Sequence, residues 1–232
     1  VGTKEWSYNQ LAIVAIVTHT KPHHNIAIEH FNAQGPFAIL PMRDNEKGEY
    51  RSSIVWTNHK NAKRSAAAYD DETFLAALNA RFPDFYGDIT GFSNKAAYPL
   101  SFNHAYRYIA PRMALISDAA HGIHPIAGQG LNLGLRDVTA LSDILAKAKE
   151  AGNDIGDLKT LEQYQQQRFF DNTSMAVATD VLNKLFSNDI FPIKPLRRLG
   201  LKLISRTKYT KRFFMKQAMG LETLQLNKKN KI

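Results

Sequence analysis

The first half of the chain alternates short apolar runs with polar or glycine-bearing turns, a pattern typical of β-strands. Four runs rich in β-branched and aromatic residues predict strands at 11–18, 25–31, 37–42 and 50–57. Apolar and polar positions alternate in the second of these runs, which predicts a sheet with two different faces. Because no helical pattern separates the strands, we expect them to pair antiparallel.

Helical periodicity and further strands follow this sheet. A short helix is predicted with Asp70 or Asp71 as its N-cap, and its apolar side carries Phe74, Leu75, Leu78 and Phe82. Three more strands are expected at 98–102, 105–109 and 113–116, the last of them buried.

The second half of the chain predicts long helices. One apolar face is marked by Leu131, Leu135, Val138, Leu141, Leu145 and Ala148. Gly152 is suited to end this helix. A second helix is expected over 158–186, with a break near Asp171, and the tail that follows is also expected to be helical.

Composition excludes several kinds of chemistry. The 232 residues include no cysteine, which rules out disulfides, thiolate metal sites and a cysteine nucleophile. The eight histidines are scattered and no HExxH occurs, so we predict no metal site. No apolar run approaches the roughly 20 residues that a membrane span needs.

The net charge of +9 is concentrated at the C-terminus. Residues 184–232 hold thirteen Lys or Arg and two acids. Within them, residues 194–216 combine basic with apolar side chains, a pattern that suits an anionic membrane surface. The alternative is that the apolar side packs on the protein body while the charges face water.

A glycine-bearing string between a predicted strand and a helix is the main chemical signal. It reads SDAAHGIHPIAGQGLNLGLRD from Ser117 to Asp137. It is not the dinucleotide motif GxGxxG, because Leu133 stands where the third glycine belongs, and no phosphate-binding P-loop occurs. Glycines let main chain approach a flat ligand, and the N-terminus of the helix favours negative charge. Asp118 suits a ligand hydroxyl. A flavin meets these demands, whereas the alternative is an ordinary surface turn.

This string resembles the second FAD-binding motif of class A FAD-dependent aromatic monooxygenases. More narrowly, it resembles the ubiquinone-biosynthesis hydroxylase family, in its 2-octaprenyl-6-methoxyphenol hydroxylase-like branch. The stretches NQLAIVAIV, GPFAILPM, TDVLNKLF and AMGLE resemble further parts of that family in the same order. Ser117 departs from the usual glycine, and we expect this small residue to be tolerated.

The resemblance implies a C-terminal fragment. The expected fold is an α+β fragment of an α/β FAD-binding (PHBH-like) monooxygenase, with a mostly antiparallel substrate-domain sheet plus C-terminal helices. The N-terminal Rossmann unit with its GxGxxG is expected to be missing. The implied regions are a substrate-domain sheet at 1–108, part of the FAD-binding domain at 109–155, and a helical region with the basic tail at 156–232.

The resemblance also implies an activity. Family members bind FAD, use NAD(P)H as reductant and hydroxylate an activated phenol, and here a polyprenyl phenol of ubiquinone biosynthesis is implied. We expect the isolated fragment to be inactive and to bind FAD weakly or not at all. Carried over to this sequence, the FAD-binding residues are Asp118, Pro125, Gly128, Gln129, Gly130, Leu131 and Asn132.

Other residues have weaker assignments. Substrate contacts are expected from Phe37, Ile39 and Pro41, for which packing in the sheet core is the alternative. The sequence identifies no catalytic residue. For His121 the alternative to a direct role at the ligand is a structural one. For Asn132 and Asp137 the alternative is helix capping or a salt bridge. Arg136 is expected to be solvated or ion-paired.

Partners and location follow from the same resemblance. We expect a cytoplasmic protein with peripheral contact to the inner membrane through residues 194–216, within a homo-oligomer or a biosynthetic complex, and no nucleic-acid partner. Two alternative functions stay open: a class A monooxygenase acting on another aromatic, and a non-catalytic basic module that binds membrane or nucleic acid.

Overall fold

The computed structural model describes residues 2–32, 35–60 and 65–186. The strands are β1 (Thr3–His19), β2 (Ile28–Asn32), β3 (Gly35–Met42), β4 (Tyr50–His59), β5 (Ile89–Phe92), β6 (Ala96–Ala105), β7 (Ile109–Ala110), β8 (Met113–Ala114) and β9 (His121–Gly122). The helices are α1 (Asp71–Asn79), α2 (Gly130–Glu150) and α3 (Leu158–Phe186). Two compact units result: a sheet unit of residues 7–101 and a helix unit of residues 2–6 with 102–185. The three-region division expected from the resemblance stays a prediction.

The sheet unit is built on antiparallel strands in the order β2-β3-β4-β1, with β5 also paired to β1. Trp56 lies opposite Ile13 on one side and Phe37 on the other, and Ile54 lies opposite Ala15 and Ile39. Alternate residues therefore line one face together. The four predicted strands and their antiparallel pairing are confirmed, but the second begins at Ile28 and not at residue 25, because His24 and Asn25 form a turn with positive φ.

The α1 helix contributes to the core on that face. Asp70 is its N-cap, and its carboxylate accepts a hydrogen bond of 2.7 Å from the Thr73 N–H. Phe74 and Leu78 are fully buried in the same cluster as Phe37, Ile39, Ile54 and Trp56. The Asn79 side chain exchanges hydrogen bonds with both backbone groups of Ile89, which joins the end of α1 to β5.

The helix unit has its own core. Its short β6–β9 pairing places His104 opposite His121. Tyr108 and Tyr164 are fully buried, and the Tyr164 hydroxyl donates to the Leu115 carbonyl at 2.8 Å. Burial raises the pKa of both phenols, so they are neutral hydrogen-bonding groups here.

Two predicted strands differ from the structure. A single strand, β6, ends at Ala105, where the backbone N–H donates to Ala120 O instead of continuing a strand over 105–109. The predicted buried strand at 113–116 is also wrong, because β8 covers two residues and Met113 is 40% exposed. Arg112, with φ +59°, turns the chain directly before it.

The helix predictions are confirmed in extent and wrong in detail. The predicted face holds in the second half of α2, where Ala148 is buried and Leu141 and Leu145 pack on the core. In the first half, Leu131, Leu135 and Val138 are exposed, and the buried positions of the helix are Leu133, Gly134, Asp137, Ala140, Ile144 and Ala148. The buried face is rotated relative to the predicted one, because it includes a charged residue, Asp137. The helix ends at Glu150, and Gly152 adopts φ +72°, as expected for a terminating glycine.

The α3 helix runs unbroken, so the predicted break near Asp171 is wrong. Asp171 instead pairs with Arg168 one turn earlier. The predicted tail helix and residues 194–216 lie outside the described residues. Of the helices in the described part of the chain, none is long and apolar enough to cross a membrane.

The α1 packing gives a stability prediction. Replacing the fully buried Leu78 with Ala should lower the free energy of unfolding by about 3 kcal/mol, because it leaves a cavity. The matched variant Leu75→Ala removes the same atoms from a half-buried position of the same helix and should cost clearly less. Urea unfolding of the 232-residue chain, followed by tryptophan fluorescence, measures both. Equal losses would contradict the described orientation of α1.

Candidate functional site

The glycine-bearing segment forms a tight turn that passes directly into a long helix. Residues Ile126–Gly128 make one 3₁₀ turn, closed by a 2.9 Å hydrogen bond from Gly128 N–H to Pro125 O. Gly128 adopts φ +61°, a conformation that side-chain-bearing residues rarely take. The α2 helix starts two residues later.

The main chain of this turn is open to a ligand. A Cβ built on Gly128 or on Gly130 would meet no atom within 4 Å. Pro125, Leu131 and Asn132 are exposed, and Leu131 is 72% exposed. A flat ring system could therefore approach the backbone at this turn.

The first turn of α2 favours negative charge. It contains no acidic residue, and Gln129 at the N-cap makes no side-chain capping hydrogen bond to the helix. The buried Gln129 side chain instead accepts a hydrogen bond of 3.3 Å from Asn132. The N–H groups at the start of a helix of 21 residues carry its positive dipole end. The arrangement fits an electron-rich ring that gains negative charge.

Asp118 supplies a hydrogen-bond acceptor in a second 3₁₀ turn, Ser117–Ala119. Its side chain is exposed, and within the described residues its carboxylate has no hydrogen bond or ion pair. The backbone carbonyl of Asp118 accepts from Asn103 at 3.3 Å, which fixes the turn. The free carboxylate can accept from a ligand hydroxyl.

Close packing sets the distance between this turn and α2. A Cβ built on Gly134 would lie 2.5 Å from Ser117 Oγ and 2.9 Å from its Cβ. Ser117 itself adopts φ +54°, in the left-handed region where glycine is favoured. The departure from the family's usual glycine is therefore accommodated with backbone strain, and Gly134 provides the space that the serine side chain occupies.

A fully buried carboxylate joins the loop to both long helices. The two oxygens of Asp137 accept from Ser117 N–H at 3.0 Å, His121 Nε2 at 2.5 Å, Arg168 Nε at 2.7 Å and Asn172 Nδ2 at 3.1 Å. Asp137 lies on α2, Arg168 and Asn172 on α3, and the other two donors belong to the loop. Of the alternatives left open for Asp137, the structure shows a salt bridge, with Arg168, in a buried setting.

The network keeps Asp137 ionised. Burial alone raises its pKa, but the hydrogen bonds from His121, Arg168, Asn172 and Ser117 outweigh burial and lower the pKa to about 2. Arg168 also donates to Asn172 Oδ1 and to Asp171, so its guanidinium is held at three acceptors. A buried charge is tolerated only with such partners.

Two loop histidines have structural partners. His121 lies against Asp137, and its Nδ1 is buried without a hydrogen-bond partner in the described part of the chain. His124 is fully buried, and its Nδ1 accepts from the Ile126 N–H at 3.1 Å. Burial lowers the pKa of His124 to about 4, so it is neutral at physiological pH.

The structure brings most predicted FAD-binding residues into one continuous segment, from Pro125 to Asn132, beside the turn that carries Asp118. Their contact with FAD stays a prediction. Arg136 is ion-paired with Asp171 at 3.6 Å, as expected.

The predicted substrate residues lie in the other unit. Phe37 and Ile39 are fully buried in the sheet core, on the face that α1 covers. Pro41 lies opposite Ser52 in the same alternation and is half-buried. Their role in substrate contact stays a prediction.

Arg168 and Asn172 were not predicted from the sequence as partners of the loop. The one available signal was their spacing of four residues, which puts both on the same side of a helix. That spacing is common, and it does not identify Asp137, more than 30 residues away, as the shared partner.

Comparison with known proteins identifies related chains. A family described as FAD binding domain matches residues 3–176. Ubiquinone hydroxylase UbiL of Rhodospirillum rubrum is 44% identical over 226 residues, which cover 97% of this chain and 51% of that protein. The 3-demethoxyubiquinol 3-hydroxylase of Escherichia coli is 35% identical over 221 residues, 95% of this chain and 55% of that protein.

A solved structure shares the fold. That structure is pqsL, a probable FAD-dependent monooxygenase from Pseudomonas aeruginosa. It superposes with a TM-score of 0.66 at 22% identity, over 81% of this chain and 51% of that one. The chain spans about half the length of the curated relatives it matches.

The Ser117–Gly134 contact predicts coupled effects on stability. Ser117→Gly should raise the free energy of unfolding by about 1 kcal/mol, because it removes left-handed strain. Gly134→Ala should cost about 2 kcal/mol in the wild-type chain. It should cost little in the Ser117→Gly chain, where the two closest clashing atoms are gone.

Thermal and urea unfolding of the four chains measures this coupling. Gly130→Ala is the control, because a Cβ there meets nothing and should show no coupling to Ser117. Additive effects of Ser117→Gly and Gly134→Ala would contradict the described contact.

Burial of His124 predicts a pH dependence. Its pKa is about 4 in the folded chain and about 6.5 when unfolded, so the unfolded state takes up a proton first. The contribution of the neutral His124 to the free energy of unfolding is complete above pH 6.5. It is lost as the pH falls towards 4, by about 3 kcal/mol in total. Asp137, with its pKa of about 2, acts only at lower pH.

The variant His124→Asn keeps an acceptor for Ile126 N–H but does not titrate. Between pH 6.5 and 4, the unfolding free energy of this variant should fall less steeply with pH than that of the wild-type chain. The two slopes should differ by up to about 1.4 kcal/mol per pH unit. His24→Asn changes an exposed histidine and should leave the slope unaltered. An unchanged slope in His124→Asn would show that the residue is not a buried neutral imidazole.

Proposed function

The chain belongs to the FAD binding domain family, and from this premise we propose that it forms part of a flavin-dependent hydroxylase in ubiquinone biosynthesis. The proposed reaction is the NAD(P)H-dependent hydroxylation of a polyprenylated phenol. Two relatives are named for hydroxylation of ubiquinone or its precursors, and the alignment with them covers nearly all of this chain. The reaction remains a proposal because this chain spans only about half of each relative.

One structural observation carries the proposal: the open main chain of the turn at Gly128 and Gly130 precedes a helix start without an acidic residue. A flavin is flat and gains negative charge on reduction, which suits both features. When bound, FAD supplies the redox chemistry, accepting reducing equivalents from NAD(P)H and reacting with oxygen. The residues of this chain bind and orient it.

Each predicted residue has a physical role in this proposal. Asp118 accepts hydrogen bonds from hydroxyls of the flavin side chain or lies near its pyrophosphate. Pro125 packs beside the ring, and the backbone from Gly128 to Asn132 faces its pyrimidine edge. These roles are carried over from the family resemblance. They agree with the exposure of Asp118, Pro125, Leu131 and Asn132, whereas the side chain of Gln129 is buried.

The Asp137 network positions this segment indirectly. It makes no proposed contact with the ligand. It fixes the Ser117 turn against α2 and α3, and therefore keeps Asp118 in place relative to the helix start. Placement of binding groups by buried supporting contacts is a general requirement for catalytic sites.

The substrate assignment is the finer part of the proposal. A polyprenyl phenol agrees with the names of the relatives, and Phe37, Ile39 and Pro41 are the proposed contacts. A related hydroxylase acting on another aromatic is the second candidate. The family match favours both over a non-catalytic basic module. Peripheral attachment to the inner membrane through residues 194–216, a cytoplasmic location and a homo-oligomer or biosynthetic complex remain part of the proposal.

A chimera tests the flavin site. The half of Rhodospirillum rubrum UbiL that this chain does not match is joined to the 232 residues, and the purified protein is assayed for bound FAD and phenol-dependent NAD(P)H oxidation. In this chimera, Gly128→Ala should weaken FAD binding at least about tenfold, because a side chain would occupy the ligand's approach.

Gly152→Ala is the matched control. Gly152 also has a positive φ and open space around its Cα, so its substitution carries a similar backbone strain away from the turn. It should lower stability as Gly128→Ala does and leave FAD affinity unchanged. Equal FAD affinity in the two variants would contradict the proposed site. Hydroxylation of a prenylated phenol, compared with short phenols, distinguishes the two substrate candidates.

A further inference from the structure

The main chain around Asp118 is held on both sides. On the N-terminal side, the Ser117 N–H donates to the buried carboxylate of Asp137 at 3.0 Å. On the C-terminal side, the chain pairs with the end of β6, where Asn103 lies opposite Gly122. The second attachment involves a side chain with a chemistry of its own.

The Asn103 side chain holds the turn at two points. Its Nδ2 donates to the Asp118 carbonyl at 3.3 Å, and its Oδ1 accepts from the Gly122 N–H. A carbonyl can only accept and an N–H can only donate, so the two partners also determine which end of the amide is the oxygen. Between these points, the Ala105 N–H donates to Ala120 O at 2.8 Å. The turn is therefore attached to β6 along its length.

Gly122 makes room for this amide. A Cβ built on Gly122 would lie 3.0 Å from Asn103 Oδ1 and 3.2 Å from its Cγ. Contacts this short are rare for real Cβ atoms, so a methyl group would displace the amide. The φ of Gly122 lies outside the left-handed region, and close packing rather than backbone conformation therefore requires a glycine here.

The direction of the Asp118 carboxylate depends on its main chain. The side chain is exposed, and it has no hydrogen bond or ion pair among the described residues. The Asn103 amide bonds to the carbonyl of Asp118 itself, whereas Asp137 bonds only to its neighbour Ser117. Binding groups work when they are held within about 0.5 Å of their productive geometry. Asn103 is placed to provide that for Asp118.

We propose that Asn103 is a positioning residue of the flavin site and acts through Asp118. The inference rests on the proposed function, because it needs a flavin whose side-chain hydroxyls reach Asp118. Asn103 itself does not touch the ligand. It holds the Asp118 main chain so that the carboxylate meets a hydroxyl at hydrogen-bond distance, and Gly122 provides the space for the amide that does this.

A double-mutant cycle in the UbiL chimera tests this role, with FAD affinity measured by equilibrium dialysis. Asn103→Ala should weaken FAD binding about tenfold, because the carboxylate is no longer held in place. In the Asp118→Ala background, the same substitution should change the affinity less than about twofold, since the group that it positions is absent. A merely structural role would weaken binding by the same factor in both backgrounds.

Two further variants separate the contacts of the amide. Asn103→Asp keeps an acceptor for the Gly122 N–H but loses the donor to the Asp118 carbonyl, so it should weaken FAD binding nearly as much as Asn103→Ala. Gly122→Ala should also weaken binding in the parent chimera. It should add less than about twofold to Asn103→Ala, because the amide that it displaces is already gone.

Gln165→Ala is the matched control. Gln165 Oε1 accepts from the Tyr108 N–H at 2.6 Å, so this residue is also a side-chain amide that holds main chain in the helix unit. Its substitution should lower thermal stability as Asn103→Ala does, and it should leave FAD affinity unchanged.

Hydrogen exchange of the 232-residue chain without flavin checks the contact itself. The Gly122 amide should exchange at least about tenfold faster in Asn103→Ala than in the parent, because it loses its acceptor. In Asn103→Asp it should stay protected, since the acceptor is retained.

Several results would overturn the proposal. They are unchanged exchange at Gly122 in Asn103→Ala, unchanged FAD affinity in that chimera, and an equal loss of affinity in both Asp118 backgrounds. Equal weakening by Gln165→Ala would reveal a general effect of lower stability and would overturn it too. A chimera that binds no FAD would refute the flavin site together with the role of Asn103 there, and the exchange rates would still show whether the contact exists.

Discussion

The helix unit depends on one buried carboxylate. Asp137 is fully buried, and it accepts hydrogen bonds from the loop before α2 and from α3 at once. Removing any one donor leaves a charge without full compensation in a medium of low polarity, which is far more costly than losing a surface ion pair. The position of the Ser117 turn, the rotation of α2 and the uninterrupted course of α3 all agree with this constraint.

Three glycines of the motif are needed for different physical reasons. Gly128 is required by its backbone conformation, because φ is positive there. Gly130 has open space around its Cα, which fits a role in ligand approach rather than in packing. Gly134 is required by the neighbouring Ser117 side chain. A motif that looks uniform in sequence therefore combines a turn requirement, an accessible backbone and a close interior contact.

The two arginine environments illustrate how the fold treats charge. Arg168 is buried and donates to Asp137, Asp171 and Asn172, so its charge joins α2 to α3. Arg81 lies on an indole ring with a single carbonyl acceptor in the described residues. Arg81 is exposed, so its remaining donors face solvent. The buried arginine thus holds α2 to α3, whereas the exposed one packs its charge on an aromatic face.

The sequence by itself determined the elements whose signals are local. The strands followed from short β-rich runs, their antiparallel pairing from the lack of helices between them, and α1 from its apolar side and an aspartate cap at position 70 or 71. The end of α2 followed from Gly152, and the family from the string between Ser117 and Asp137. Each of these depends on residues a few positions apart, where backbone sterics and capping decide. Only the tertiary structure decided which face of α2 is buried, because hydropathy assigns Asp137 to solvent. Its partners Arg168 and Asn172 come from a distant helix, and no local pattern encodes that meeting. The same holds for the surroundings of Trp56, since strand pairing brings Phe37 next to it and the packing of α1 brings Arg81 onto its ring.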